Sequence, residues 1–340
     1  MGTRTVDAQG MATDGPAGDP AGHGAATAGA AAASPPVRLA ELPDTFDRAG
    51  FAPYSLAEVL AVLDLAGDVS PPVPVRSLRS PHGGVLGSQQ LAQQVVLAER
   101  LAPGMSTRTL HSLFPNPSER DEPLDVDVEW LQSGRRFANL ALSFRQRGRA
   151  IGRSDVLLGA DAPDFVRHET SPPEPMGDPE SGEPLDCPLM PWDVRVAPGP
   201  RPHSVDVWQR IPGVPADPAL ARGLIAFASD PWAGHHVILS HIQAGTAVLA
   251  PGERMLAAVL AQTVTFLEEL DVREWHLLRV DAPYAGGGRF LGRGHVYTAA
   301  GRLCAVFETV GMLRAASDGS PAGVGGAGVG AHGGPGRGRE

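Results

Sequence analysis

SQQLAQQVVLAERLA, residues 88–102, reads as a helix stopped by Pro103-Gly104, and the strands after it decide the fold. Leu91, Val95 and Ala98 share one face, and Ala92, Val96 and Leu97 widen it. A helix apolar over so much of its circumference belongs inside other structure, not on a surface. Four strand-like segments come next: Thr107–Phe114, Leu124–Leu131, Arg136–Arg145 and Ala150–Leu158. Leu124, Val126 and Val128 alternate with Asp125, Asp127 and Glu129, the period of a strand with one wet face. Ser133-Gly134-Arg135 and Arg147-Gly148-Arg149 supply the turns. One wrapped helix plus an antiparallel meander is an α+β unit. Upstream, Ser55-Leu-Ala-Glu58 is a capping-box pattern opening a short helix over Leu56–Leu65.

The same order recurs further along. A strand at Val205–Ile211 precedes a helix over 218–229, and later strands lie at Met255–Leu267, Trp275–Ala282, Arg289–Thr298 and Leu303–Leu313. Glu129-Trp130, Gly134-Arg-Arg136-Phe137 and Gly148-Arg149 match Glu274-Trp275, Gly288-Arg289-Phe290 and Gly301-Arg302. From Phe137 to Gly148 is 11 residues, and from Phe290 to Gly301 is also 11. Matched spacing on matched element order points to an internal duplication. Two such sheets pair edge to edge, which leaves neither inner edge open.

Composition bounds the rest. The chain has 340 residues, 42 Gly and 33 Pro, with the Gly and small residues crowded into the two ends. Such tails bury too little apolar surface to offset their ordering entropy. The net charge of −10 is local: between Asp161 and Asp186 eight acids face only Arg167, amid several prolines, which reads as a solvated linker. There is no Lys and no basic patch, so nucleic acid is not an expected partner. No apolar run approaches the length of a membrane span, and the first residues lack a signal-peptide pattern. Cys187 and Cys304 give neither a disulfide framework nor metal-ligand spacing. A cytoplasmic setting is expected.

ARGLIAFASD, residues 221–230, carries the candidate chemistry. Asp217 is placed as an N-cap, Pro218 as the first helical residue, and Pro231 as the stop. Asp230 then falls at a helix C-terminus, where the dipole disfavours negative charge. Local stability asks for no carboxylate there. It is either a loop-opening Asp or a proton acceptor. His111 is either a core histidine or a site residue, and Gly87-Ser88 either a packing point or a pair of helix-start amides able to hold an oxyanion. His82-Gly83-Gly84 is not an oxyanion loop of the lipase kind, since no Gly-x-Ser-x-Gly exists in the chain. His235, His236 and His241 have no acid at ligand spacing, so no metal is expected.

Gly87-Ser-Gln89-Gln-Leu-Ala-Gln93, Leu110-His111-Ser112-Leu-Phe114, Gly134-Arg-Arg-Phe137, Phe227-Ala-Ser229-Asp230 and Gly301…Gly311-Met-Leu-Arg314 resemble, in order, the marks of the acyl-CoA thioesterase II family. The likeness covers roughly residues 53–315. It implies an α+β double hotdog, two tandem units each a helix wrapped by an antiparallel sheet. The boundaries expected are a tail over 1–44, a first hotdog over 45–158, an acidic Pro-rich linker over 159–203, a second hotdog over 204–315 and a tail over 316–340. It implies hydrolysis of acyl-CoA to fatty acid and CoA by a water that an Asp, a Thr or Ser and a Gln hold. The Asp carries over to Asp230. Val259 stands where the family has Thr, and Thr309 where it has Gln. Thr263, counted onto the face of Val259 by period two, and Thr309 are therefore the expected partners of Asp230, with Glu308 beside them. Gly87, Ser88, His111 and Arg289 are expected to touch substrate, with Arg135, Arg136 and Arg293 as further phosphate candidates. The resemblance implies no cofactor, acyl-CoA as the partner, and leaves open a homo-oligomer of double hotdog chains. Two rivals stand beside it. One is a relative that binds acyl-CoA without turnover. The other is a hotdog dehydratase, which pairs a His with a carboxylate, here His111 with Asp230.

Overall fold

The computed structural model describes residues 52–65, 67, 69–79, 84–119, 121–169, 174–243 and 253–317. The expected tail over 1–44, residues 318–340 of the other, and His82 and Gly83 lie outside the described residues, whereas Ala316 and Ser317 end a strand. Among the described residues, three α-helices, α1 (Leu56–Leu63), α2 (Gly87–Leu101) and α3 (Pro218–Gln243), accompany one antiparallel sheet. Its first half is β1 (Val73–Val75), β2 (Ser106–Leu113), β3 (Leu124–Ser133), β4 (Phe137–Gln146) and β5 (Arg149–Gly159), ordered β1-β3-β4-β5-β2. The second half is β6 (Glu183–Pro184), β7 (Asp193–Pro198), β8 (Ser204–Arg210), β9 (Glu253–Phe266), β10 (His276–Gly286), β11 (Arg289–Thr298) and β12 (Leu303–Ser317), ordered β9-β12-β11-β10-β8-β7-β6. The halves join where β2 pairs antiparallel with β9, His111 opposite Thr263. Each half is a meander around one helix, and the pairing of inner edges makes the double hotdog. Gly148 and Gly301, the ends of the two 11-residue spacings, both take left-handed φ, 76° and 87°. The recurrence therefore marks the same turn in each half.

The capping box forms as the sequence indicates. Ser55 N–H donates to Glu58 Oε2 at 2.8 Å, and Glu58 N–H donates to Ser55 Oγ at 3.2 Å. Asp217 caps α3, accepting from the amides of Ala219 and Leu220 at 2.8 and 3.3 Å. The helix does not stop at Pro231, however, but runs through it to Gln243. Leu224, Ile225, Phe227, Ala228 and Trp232 are all buried, so the apolar stripe continues across the proline. That burial offsets the lost backbone hydrogen bond, which costs about 3 kcal/mol in a helix interior. Asp230 is consequently a mid-helix residue rather than a terminal one.

Residues 161–169 of the acidic segment are exposed, as a solvated linker would be, but from Glu174 onward the segment packs on the fold. Arg279, almost fully buried, donates to the carbonyls of Glu174 and Pro175, both at 3.0 Å, and to the carboxylate of Asp206 at 2.8 and 2.7 Å. Met176 packs on Trp208, Leu277 and Tyr297. The chain is thus fastened to the outer face of the second half, and residues 183–198 add strands β6 and β7 to its edge.

Helices α2 and α3 pack against each other, antiparallel, on the inner face of the sheet. A methyl group at Gly223 would stand 2.9 Å from Val96 Cγ2 and 3.4 Å from the Ala92 carbonyl oxygen. Close approach there is what glycine permits. The glutamines of α2 are buried, and two of them hold the preceding chain. Gln89 Oε1 accepts from Leu78 N–H at 2.7 Å, and the Gln89 and Gln93 amides donate to the Arg76 carbonyl at 2.8 and 2.9 Å. These two glutamines clamp the preceding chain over the helix, while Gln90 and Gln94 face elsewhere.

Candidate functional site

At one end of the helix pair, α2 begins at Gly87 behind Leu86, which offers no side chain to cap it. Asp230 of α3 fills that place. Its Oδ2 accepts from Ser88 N–H at 3.0 Å, bringing a carboxylate to the positive end of α2. Gly87 is the contact point, since a methyl there would lie 3.5 Å from both Asp230 Oδ2 and the Phe114 ring. The other carboxylate oxygen, Oδ1, is buried with no hydrogen-bond partner. Burial pushes the Asp230 pKa up to about 6, against the lowering effect of the Ser88 amide. A carboxylate so tuned is ionised at neutral pH and basic enough to take a proton.

Under the helices the sheet supplies the neighbours. Gln262 of β9 donates from Nε2 to Ser229 Oγ at 2.6 Å, and Ser229 precedes Asp230. Thr309 of β12 stands directly opposite Gln262, and Ser112 of β2 flanks it on the other side. Ser112 Oγ donates to Gln94 Oε1 at 2.6 Å. Thr309 Oγ1 and Gln262 Oε1 are buried without partners.

The structure brings Asp230 to Gly87 and Ser88, while Thr309 lies opposite Gln262, which bonds to Ser229 beside Asp230. It does not bring Thr263 or His111 to them. His111 Nδ1 and Thr263 Oγ1 are 2.8 Å apart on the outer face of the sheet, where His111 is exposed, and Thr109 meets Thr265 beside them. The helices and Asp230 lie on the inner face. The reason is a bulge. Val259 pairs with Gly311 and Ala261 with Val310, which leaves Leu260 as the extra residue. The inserted residue inverts the count by two, so Gln262, not Thr263, shares the face of Val259. Glu308 pairs with Thr263 and is exposed on that same outer face. The His111–Asp230 pairing a dehydratase needs is therefore not made. Gln262 was the residue missed, and its signal was a Gln inside the apolar run 255–266.

Arg289 is exposed at the start of β11, three residues before Gly292, which faces Thr309. Cys304 is fully buried and its thiol pKa is raised by burial, while Cys187 is half-buried in a bridge with Met190. Among the described residues no three His, Cys, Asp or Glu side chains are grouped to hold a metal ion, and no helix is long and apolar enough to cross a membrane. His235, His236 and His241 lie on the α3 backbone, their side chains outside the described residues.

Family models match both halves: the acyl-CoA thioesterase N-terminal domain over residues 74–159 and the acyl-CoA thioesterase C-terminal domain over 162–313. The chain is 25% identical over 269 residues to acyl-CoA thioesterase 2 of Haemophilus influenzae, covering 68% of this chain and 87% of that protein. Among solved structures, the tesB protein of Mycobacterium avium subspecies paratuberculosis superposes with a TM-score of 0.65 at 25% identity, over 76% of this chain and all of that one. A hot dog fold protein from Alicyclobacillus acidocaldarius superposes with a TM-score of 0.61 at 18% identity, over 76% of this chain and 98% of its own, a likeness of fold.

Proposed function

The chain belongs to the acyl-CoA thioesterase II family, and from that premise we propose that it hydrolyses acyl-CoA to a free acid and CoA with Asp230 as the base. The observation that carries the reading is the Asp230 carboxylate: one oxygen fixed by Ser88 N–H, the other buried and unpartnered, with a pKa near 6. Oδ1 takes a proton from a water, and the water oxygen bonds to the thioester carbonyl carbon. The carbonyl π electrons move to its oxygen. When they return, the C–S bond breaks and the CoA sulfur leaves as thiolate. Ser88 N–H is already engaged, so the amides beside it in the first turn of α2, at Gly87 and Gln89, are the donors for the developing oxyanion.

Gln262 and Thr309 hold the water in this reading, in the places the expected Thr263 does not reach. Gln262 is itself held by Ser229, so its Oε1 is aimed by a neighbour of the base. Arg289, at the mouth of the β10–β11 hairpin, is a phosphate contact.

Release of free CoA from a panel of acyl-CoAs tests this. Asp230→Asn keeps the shape and removes the base, and turnover should fall by roughly 10²–10⁴-fold. Parent-like turnover in the variant removes Asp230 from the mechanism. A parent that binds acyl-CoA but releases no CoA favours the non-catalytic relative, the reading that Val259 and Thr309 support by standing where the resemblance expects Thr and Gln.

A further inference from the structure

Ser154, Ser112, Gln262 and Thr309 lie side by side on four adjacent strands, β5, β2, β9 and β12. They form one row across the seam of the two halves, on the face the helices cover. Ser112 and Thr309 have 0% exposure, and Ser154 and Gln262 1%. Gln90 and Gln94, one turn apart on α2, are buried above the row, Gln90 against the bare backbone of Gly152. The next row of the same seam is apolar, with Leu110 opposite Val264.

Five atoms of this patch are buried without a hydrogen-bond partner: Gln90 Oε1, Gln94 Nε2, Ser154 Oγ, Gln262 Oε1 and Thr309 Oγ1. Buried polar atoms are nearly always paired, so this much open capacity in one place calls for a polar occupant. Structural water meets that need as well as a ligand does, and the distinction lies in what the row does beside a reactive carbonyl. Gln262 is tied to Ser229, the residue before the proposed base, so the row runs from the site into the protein interior.

On the reading that this site cleaves acyl-CoA, we infer that the row receives the acyl group and selects chains carrying a neutral hydrogen-bonding oxygen, a hydroxyl or keto group, over plain hydrocarbon chains. A saturated chain laid along the row would strip water from Gln90 Oε1, Gln94 Nε2 and Ser154 Oγ, the open atoms that do not hold the attacking water, and return no hydrogen bond. A hydroxylated chain offers both a donor and an acceptor to a lining that presents both. The row holds no ionised side chain, so a carboxylate buried there would find no cation and an acyl group ending in one is disfavoured. The buried arginine of the helix pair, Arg222, is closed off by Glu99.

The test compares hexanoyl-CoA with β-hydroxyhexanoyl-CoA and ω-hydroxyhexanoyl-CoA on the full chain, the two hydroxyl positions locating the contact along the row. The expected result is a kcat/KM at least about tenfold higher for one hydroxylated substrate than for hexanoyl-CoA. Ser154→Ala and Gln94→Leu should bring that ratio toward one. Equal kcat/KM for all three substrates, or a preference for hexanoyl-CoA, overturns the inference and leaves the row to structural water. Preference for a hydroxylated chain that neither variant moves also overturns it. Thermal melting of both variants shows that they fold, and Ser154→Ala removes only one oxygen. Binding of the corresponding non-hydrolysable thioethers, read by calorimetry, separates the two proposals. Tighter binding of a hydroxylated thioether by a chain that cleaves nothing supports the row and sinks the hydrolase, whereas cleavage with no hydroxyl discrimination does the reverse.

Discussion

The two ends of the helix pair make the same gesture with opposite results. At one end Asp230 of α3 reaches the start of α2, and at the other Glu99 of α2 reaches the first turns of α3. Glu99 meets Arg222 there through two hydrogen bonds of 2.7 Å and also accepts from Thr107 N–H at 3.0 Å. Both members of that pair are buried, each matched in charge and geometry. Among the described residues Asp230 has one backbone amide and no cation. The pair of ends divides its work in this way on the proposed reading: the carboxylate closed by an arginine is a fastener, and the half-satisfied one is the proposed base. Burial alone does not distinguish them. The partner does.

The largest way to break the comparison is to open the closed end. Arg222→Met leaves Glu99 buried without its cation, and removing one partner of a buried pair costs about 3–5 kcal/mol. Denaturant unfolding should show that loss, while turnover per folded molecule changes little because the Asp230 end is untouched. Replacing both, Glu99→Leu with Arg222→Met, should recover most of the stability, since the uncompensated charge is then gone. A double variant as weak as the single one means that the ion pair does more than neutralise itself.

The next effect runs the other way, at the open end. Asp230 has a folded pKa of about 6, above the 3.8 of a free carboxyl. A group raised in this way stabilises the fold fully below about pH 4 and loses that contribution as pH rises through 6. At neutral pH the ionised form therefore costs up to about 3 kcal/mol relative to a neutral isostere. Asp230→Asn should melt higher than the parent at pH 8, by a margin that shrinks to nothing near pH 4. Equal melting at both values would mean the carboxylate is better solvated than its buried Oδ1 implies. Turnover in the parent should rise with an apparent pKa near 6.

Much of this comparison was legible in the sequence, and the part that was not has identifiable causes. The duplication showed because both halves need a left-handed turn residue at one place, and Gly148 and Gly301 keep it. The N-cap at Asp217 and the capping box at Ser55 are local chemistry, readable from a few residues. Pro231 misled because a local rule met tertiary burial: the stripe ending in Trp232 holds the helix through the proline. Thr263 misled because a single bulged residue, Leu260, inverts the face of everything after it, and no local composition marks it. Glu99 and Arg222 carry no signal in sequence, 123 residues apart, and only packing makes them a pair.

A smaller effect tests what keeps the two ends at their spacing. Gly223 lets α2 and α3 touch, and Gly223→Ala sets a methyl against Val96 Cγ2 at 2.9 Å. Alanine gains about 1 kcal/mol of helix propensity, but overpacking of a tight core costs about 1–3 kcal/mol. The net should be a loss on the order of 1 kcal/mol, and Val96→Ala should relieve it in the double variant. If Gly223→Ala stabilises the protein, the helices have room to part, and the distance from Asp230 to Ser88 N–H is not fixed by this contact.

The smallest expected effect sharpens the comparison by leaving both ends alone. His111 and Thr263 bond to each other across the seam, on the outer face, with the whole sheet between them and Asp230. An exposed hydrogen bond of this kind contributes little, and surface changes away from caps and networks usually stay within about 0.5 kcal/mol. Thr263→Val and His111→Ala should therefore shift stability by no more than that, and turnover by less than about twofold. Gln262→Leu, one residue away on the inner face, should cut turnover sharply, because it removes the group tied to Ser229 and opposite Thr309. The contrast between neighbours at 262 and 263 measures the bulge directly in function. If Thr263→Val lost activity and Gln262→Leu did not, the phase of β9 would be the reverse of the one Leu260 imposes, and the outer face would become the place to look for the chemistry.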